Sequence, residues 1–175
     1  MSSDRQMLFL PLALVKDTHL KANMHLNGPQ KNDIIAVISL LDLYGPTFYP
    51  SHMMNPAERC IWAKKEMENK ASHPKFFQFF AVHEIEAWLP SKPNIFPLEV
   101  QRAFPEKVRH PENVNFNEPP AKLLERLYLK NIRRSYKKVA NGKELFRRLD
   151  PNIAYDKCPN LKDLLDKMLI LAKEN

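Results

Sequence analysis

The chain has 175 residues, 44% of them hydrophobic and 27% charged, which suits one globular domain with its own core and excludes wholesale disorder. Its three glycines, Gly28, Gly45 and Gly142, stand too far apart for the phosphate-cradling loops of P-loop or dinucleotide-binding proteins, so nucleotide chemistry of those two kinds is excluded. The net charge of +7 is concentrated: Lys122 to Arg148 carries ten Lys or Arg against Glu125 and Glu144, a net +8 that leaves −1 for the rest.

Residues 1–33 read as an irregular or degenerate segment, and residues 34–175 as a single α/β domain. Met7–Val15 (MLFLPLALV) has the composition of a strand or a buried segment, but Pro11 interrupts either one. No small-residue cleavage site follows it, and no run of about 18 apolar residues is long enough to span a bilayer. Cys60 and Cys158 lie far apart and belong to no C-x-x-C pair. The expectation is a cytoplasmic protein with reduced thiols and no membrane attachment. His25–Asp33 is polar and turn-rich.

Ile34–Tyr44 (IIAVISLLDLY) is a nearly continuous β-branched and leucine-rich run that stops at Gly45-Pro46. Strands apolar on both faces belong to parallel sheets covered by helices. Asn55-Pro56 then predicts a helix, with Asn55 as N-cap and Pro56 at the first helical position. Ile61, Trp62 and Met67 supply its inward face, and Lys64, Lys65, Glu66 and Glu68 suit water. Phe76–Val82 (FFQFFAV) is the next strand, so strand, helix and strand form a βαβ crossover.

The second half reads as largely helical. Glu84–Leu89 starts a helix stopped by Pro90 and Pro93, and Pro97–Phe104 forms another short one. Arg109–Asn117 is loop-like. Pro120–Leu129 is amphipathic through Leu123, Leu124, Leu127 and Tyr128. Tyr136–Leu149 is helical with a break near Asn141-Gly142. Leu161–Ala172 is a terminal helix whose buried stripe is Leu161, Leu164, Leu165, Met168, Leu169 and Leu171.

The candidate chemistry lies where the two strands stop, because ligands of open parallel sheets bind outside the carboxyl ends of the strands. Asp42 sits at the end of the first run, and a carboxylate among apolar neighbours is costly to bury unless it is paired or binds a cation. His83 and Glu84 follow the second run. Neighbouring strands lie roughly 5 Å apart, which allows these side chains to meet. Asp42 and Glu84 are oxygen ligands suited to Mg²⁺, with His83 as a supporting partner or general base. In the competing reading, Asp42 bonds loop amides and Glu84 caps a helix. Glu86 is two positions from Glu84, so on a helix the two point to different faces. Cys60 reads as packing and Cys158 as a helix boundary. The basic segment, including Lys122, Arg126, Arg133, Arg134, Lys137 and Lys138, suits either phosphate backbone or a solvated helix face.

Four segments together resemble the bacterial family known as domain of unknown function 4276: LLDLYGPTFYP (Leu40–Pro50), FFAVHEIEAWLPSKP (Phe79–Pro93), PPAKLLERLY (Pro119–Tyr128) and YKKVANGKELFRRLD…KCPNLKDLLDKM (Tyr136–Met168). That family is similar to Toprim-type domains of topoisomerases, primases and overcoming-lysogenization-defect nucleases. The resemblance implies a Toprim-like parallel-sheet core with a helical C-terminal half. Asp42 matches the strand-end aspartate, His83, Glu84 and Glu86 match the H-E-x-E motif, and Lys122 matches a basic position. It further implies Mg²⁺-dependent phosphodiester cleavage of DNA or RNA, beside an ABC- or SMC-like ATPase in a defence or mobile-element locus. Family members begin with a strand ending in E-G-x-T-E, whose first glutamate is the general acid/base. Residues 1–33 contain no glutamate, the first being Glu58, and Tyr44 replaces the second aspartate of a D-x-D pair. The expectation is therefore divided between an active nuclease and a truncated or degenerate relative that binds nucleic acid or protein without turnover.

Overall fold

The computed structural model describes residues 5–10, 17–43, 48–113 and 118–174. Pro11 to Val15, the Gly45-Pro46 break and the Tyr44 position lie outside the described residues. The chain divides into two compact units, residues 1–81 with 164–175, and residues 82–163.

The first unit is built on a three-stranded parallel sheet of order β1-β2-β3, with β1 Gln6–Leu10, β2 Ile34–Asp42 and β3 Phe76–Ala81. Ile34, Ala36, Val37, Ile38 and Leu41 of β2 are buried, as a central strand covered on both faces requires. β1 joins it in parallel register from Gln6↔Ile34 to Leu10↔Ser39, with a shift after Gln6. β3 joins the other side from Val37↔Phe76 to Asp42↔Ala81. The segment expected to be irregular thus supplies an edge strand, which ends at the residue before Pro11.

The same segment supplies a helix, α1 Thr18–Leu26. Only Thr18, Ala22 and Leu26 are buried along it, a line of one residue per turn too thin to register as an apolar face. α1 connects β1 to β2, and α2 Pro56–Ala71 connects β2 to β3. The two helices pack on each other, so both lie on one face of the sheet. The Asn55 side chain accepts from the Ala57 N–H at 2.8 Å, as the Asn-Pro signal predicts. The inward line of α2 is Ala63, Met67 and Ala71, whose small residues let the helix approach β3 closely. Ile61, expected on that face, is 72% exposed. Two polar residues expected to face water are used instead: Lys64 Nζ lies 4.7 Å over the Phe79 ring, and Glu68 accepts from the Gln78 N–H at 3.0 Å.

The second unit is helical and has its own core, in which Leu89, Phe96, Val100, Leu124, Leu127 and Leu145 are central. Its first turn is a 3₁₀ helix, Ile85–Ser91, rather than an α-helix, and it runs through Pro90. α3 Leu98–Arg102, α4 Pro120–Ile132, α5 Lys138–Arg148 and α6 Pro151–Lys157 follow. α5 is continuous through Asn141-Gly142, against the expected break. Asn141 Oδ1 accepts from the Lys137 N–H at 2.7 Å, at the start of the helix. Gly142 is buried where a Cβ would come within 3.2 Å of the Tyr136 hydroxyl, so this glycine serves close packing and not a turn. α6 was not expected, although Asp150-Pro151 carries the same cap signal as Asn55-Pro56.

α7 Pro159–Lys173 ends the chain. Leu161, Leu164 and Leu171 are buried along it, while Leu169 is 56% exposed. Leu169 lies five residues from Leu164, about 140° round the helix, which removes it from the expected stripe.

Candidate functional site

Asp42 is the last residue of β2, half-buried and level with Ala81 at the end of β3. The next residue, Leu43, donates its N–H to the Ala81 carbonyl at 3.0 Å. The ladder therefore closes around the position of Asp42, at the carboxyl end of the first unit's sheet.

His83, Glu84 and Glu86 belong to the second unit. His83 is 1% exposed and has φ of 70°, the left-handed region that few non-glycine residues adopt. Glu84 is fully extended, with φ −150° and ψ 162°, and precedes the 3₁₀ helix instead of lying on it. That conformation overturns the expected divergence of Glu84 and Glu86. Residues two apart diverge only when both are helical, and here both carboxylates turn to one cation. Lys138 Nζ lies 3.1 Å from Glu86 Oε2 and 3.9 Å from Glu84 Oε1. Glu86 is 2% exposed, and burial holds its carboxyl above the usual carboxylate range despite the Lys138 ammonium. Tyr136, its ring 5.3 Å from that of Tyr128 and tilted against it by 58°, adds a buried phenol; burial first and Glu86 second push its hydroxyl well up.

The second oxygen of Glu84 has its own task. Oε2 accepts from the Ala121 N–H at 3.0 Å. α4 begins at Pro119-Pro120, neither of which has an N–H, so Ala121 offers the first amide of the helix. A carboxylate there meets both an unpaired donor and the positive end of the helix dipole. Glu84 does cap a helix, but α4 and not the one that follows it in sequence. Glu112, in a stretch read as loop, does the same for α7: it accepts from Trp88 Nε1 at 2.8 Å and from the Asn160 N–H at 2.5 Å, just after Pro159. Helices that start with proline and lack a cap residue of their own were the available signal for both contacts.

The basic residues fall into two groups. Lys122 pairs with Glu125 at 2.8 Å, and Arg126 pairs with Glu118. Lys130, Arg133, Arg134 and Lys137 are exposed and enter none of the ion pairs among the described residues. They occupy the end of α4, where Arg133 takes a left-handed conformation, and the start of α5.

The chain matches the model of the family described as Domain of unknown function (DUF4276) over residues 6–169. It belongs to this family. Comparison with curated proteins found no match, and comparison with solved structures found none. The family match begins at the first residue of β1. No glutamate occurs before Glu58, so β1 carries none.

The fit to Mg²⁺ can be judged from the donors. Among the described residues no group of three or more His, Cys, Asp or Glu is arranged to hold a metal ion. The two carboxylates of the H-E-x-E segment face an ammonium and a helix N-terminus. These contacts do not suit a hard divalent cation, which needs several free oxygens converging on one point. Cys158 is a poor nucleophile: burial first and Glu112 second push its thiol up to about 12. No helix among the described residues is long and apolar enough to cross a membrane.

Proposed function

We propose that this chain is a Toprim-like domain that binds nucleic acid without cleaving it, its H-E-x-E acids having become a structural clamp. The observation that carries the reading is the row Lys130, Arg133, Arg134 and Lys137. These four exposed cations lie at the end of α4 and in the connection to α5, and they enter none of the ion pairs among the described residues. Such a surface gains affinity for phosphate backbone by releasing condensed counterions. The Lys138 clamp supports the non-catalytic part, because it uses both acids internally.

The test is fluorescence anisotropy of labelled DNA and RNA with the full chain and with Arg133→Glu/Arg134→Glu. The expected result is binding by the wild type and a loss of about tenfold or more in the variant, since each reversed contact also adds repulsion. Equal affinity in the two proteins would remove the assignment.

A second reading, Mg²⁺-dependent phosphodiester cleavage beside an ABC- or SMC-like ATPase, is favoured by one observation. Asp42 closes β2 at the sheet end where such folds bind ligands. Nicking of supercoiled plasmid that requires Mg²⁺ and disappears in Asp42→Ala is its expected signature; nicking shared by the variant would sink it.

A further inference from the structure

Beyond β2 the first unit builds a half-buried aromatic cluster. Phe48 and Tyr49 stack with centroids 5.3 Å apart and rings inclined by 29°. Trp62 of α2 lies 5.8 Å from Phe48 and 6.3 Å from Tyr49. All three rings keep part of their surface in water, unlike Phe76 and Phe80 of β3, which are 3% and 2% exposed. Two cations lie over the cluster: the Arg59 guanidinium 5.1 Å above Tyr49, and the Lys70 ammonium 5.9 Å above Phe48. Lys70 also pairs with Glu66 at 3.0 Å.

The cluster is tied to the sheet end. The Tyr49 hydroxyl donates to the Leu43 carbonyl at 2.9 Å, and Leu43 is the residue after Asp42. Arg59 Nε donates to the Met53 carbonyl at 2.6 Å, which fixes the loop that carries the rings against α2. The rings are therefore presented at the carboxyl end of β2.

The chemistry narrows the occupant. Rings that already carry cations repel a quaternary ammonium ligand. An apolar peptide would strip water from Arg59 and Lys70 without pairing them. A polyanion bearing flat rings satisfies both features, since bases stack on aromatic faces and guanidinium planes while phosphates meet the charges. We propose that Phe48, Tyr49 and Trp62, with Arg59 and Lys70, form a stacking platform for single-stranded nucleic acid. Duplex is disfavoured because its base faces are already covered by their neighbours. This deepens the nucleic-acid reading and rests on it, adding the form of the strand and a second surface on the other unit.

The experiment titrates the full chain with a fluorescein-labelled oligothymidylate and with a duplex of equal length, following anisotropy and tryptophan emission together. Trp88 is 7% exposed and bonded to Glu112, so a ligand-induced change reports Trp62. The expected results are quenching by the single strand alone, and about tenfold weaker binding by Trp62→Ala, in line with the loss of one stacked base. Trp62→Phe should keep the affinity and lose the quench. Unchanged wild-type emission at saturation overturns the platform whether or not the alanine variant folds. So does equal affinity in a Trp62→Ala protein that retains its circular dichroism melt. In both cases binding that still depends on Arg133 and Arg134 leaves the broader reading standing. Absence of binding to either nucleic acid removes both.

Discussion

Lys138 decides the charge balance of the H-E-x-E segment. Glu86 is buried beside it, and burial outweighs the ammonium, so the folded carboxyl binds its proton more tightly than the unfolded one. A folded pKa raised above the unfolded value means that stability is full at low pH. It falls as pH rises from the unfolded value, 4.5, towards the higher folded one. Lys138→Met removes the ammonium that limits this rise. The variant should therefore lose stability more steeply above pH 4.5 than the wild type, by about 1–3 kcal/mol near neutrality, the cost of a buried polar group left unsatisfied. Adding Glu86→Gln should flatten that dependence. Urea melts across this pH range read both effects, and parallel pH profiles for wild type and Lys138→Met would refute the clamp. Glu84 and Glu86 stood out in the sequence as candidate positions. Their partner did not, because nothing in local spacing brings a lysine from α5 to residues just after β3.

At the scale of elements, α4 and α7 share a device: a proline start with no capping side chain of its own, completed by a carboxylate from another segment. For α4 this distinguishes a structural Glu84 from a catalytic one. Glu84→Ala leaves the Ala121 amide without its acceptor and should cost about 1–2 kcal/mol, at the upper range of cap substitutions. Glu84→Gln keeps an acceptor oxygen and should recover most of that loss, giving up only the charge at the helix N-terminus, worth about 0.3–1 kcal/mol. Thermal melts of the three proteins separate the cases; equal loss in Ala and Gln variants would mean that the charge and not the cap matters. The elements that could be read in advance had strong local signals: β2 and β3 as unbroken apolar runs, α2 from Asn55-Pro56, α4 from its leucine spacing. α1 was lost because three residues of its nine make its buried line. The predicted break in α5 failed because Gly142 answers to the Tyr136 hydroxyl, a tertiary neighbour, and not to local turn chemistry.

For the whole molecule, the parallel α/β class followed from two strands alone, while the third needed the pairing itself. Five residues before a proline carry little signal until β2 offers a register for them. Charge was legible throughout, and its unevenness gives the final prediction. Residues 122–148 hold a net +8 in a chain of net +7, so most of the salt-dependent part of the affinity for a polyanion should come from this stretch. Lys122, Arg126 and Arg147 already meet Glu125, Glu118 and Glu144, and must give up those pairs to reach phosphate. Lys130, Arg133, Arg134 and Lys137 have no such pair to give up among the described residues. The share of the slope of log affinity against log salt that comes from residues 122–148 should therefore correspond to roughly these four contacts, near −3 on a single strand at about 0.7 per phosphate. Arg59 and Lys70 add to the total slope where the strand also meets the aromatic cluster. Arg133→Glu/Arg134→Glu should flatten it by about 1.4, whereas Lys122→Gln should leave it almost unchanged. A slope that Lys122→Gln reduces as much as the double reversal would show that the paired cations bind as readily as the unpaired ones, and the distinction between the two groups would fall.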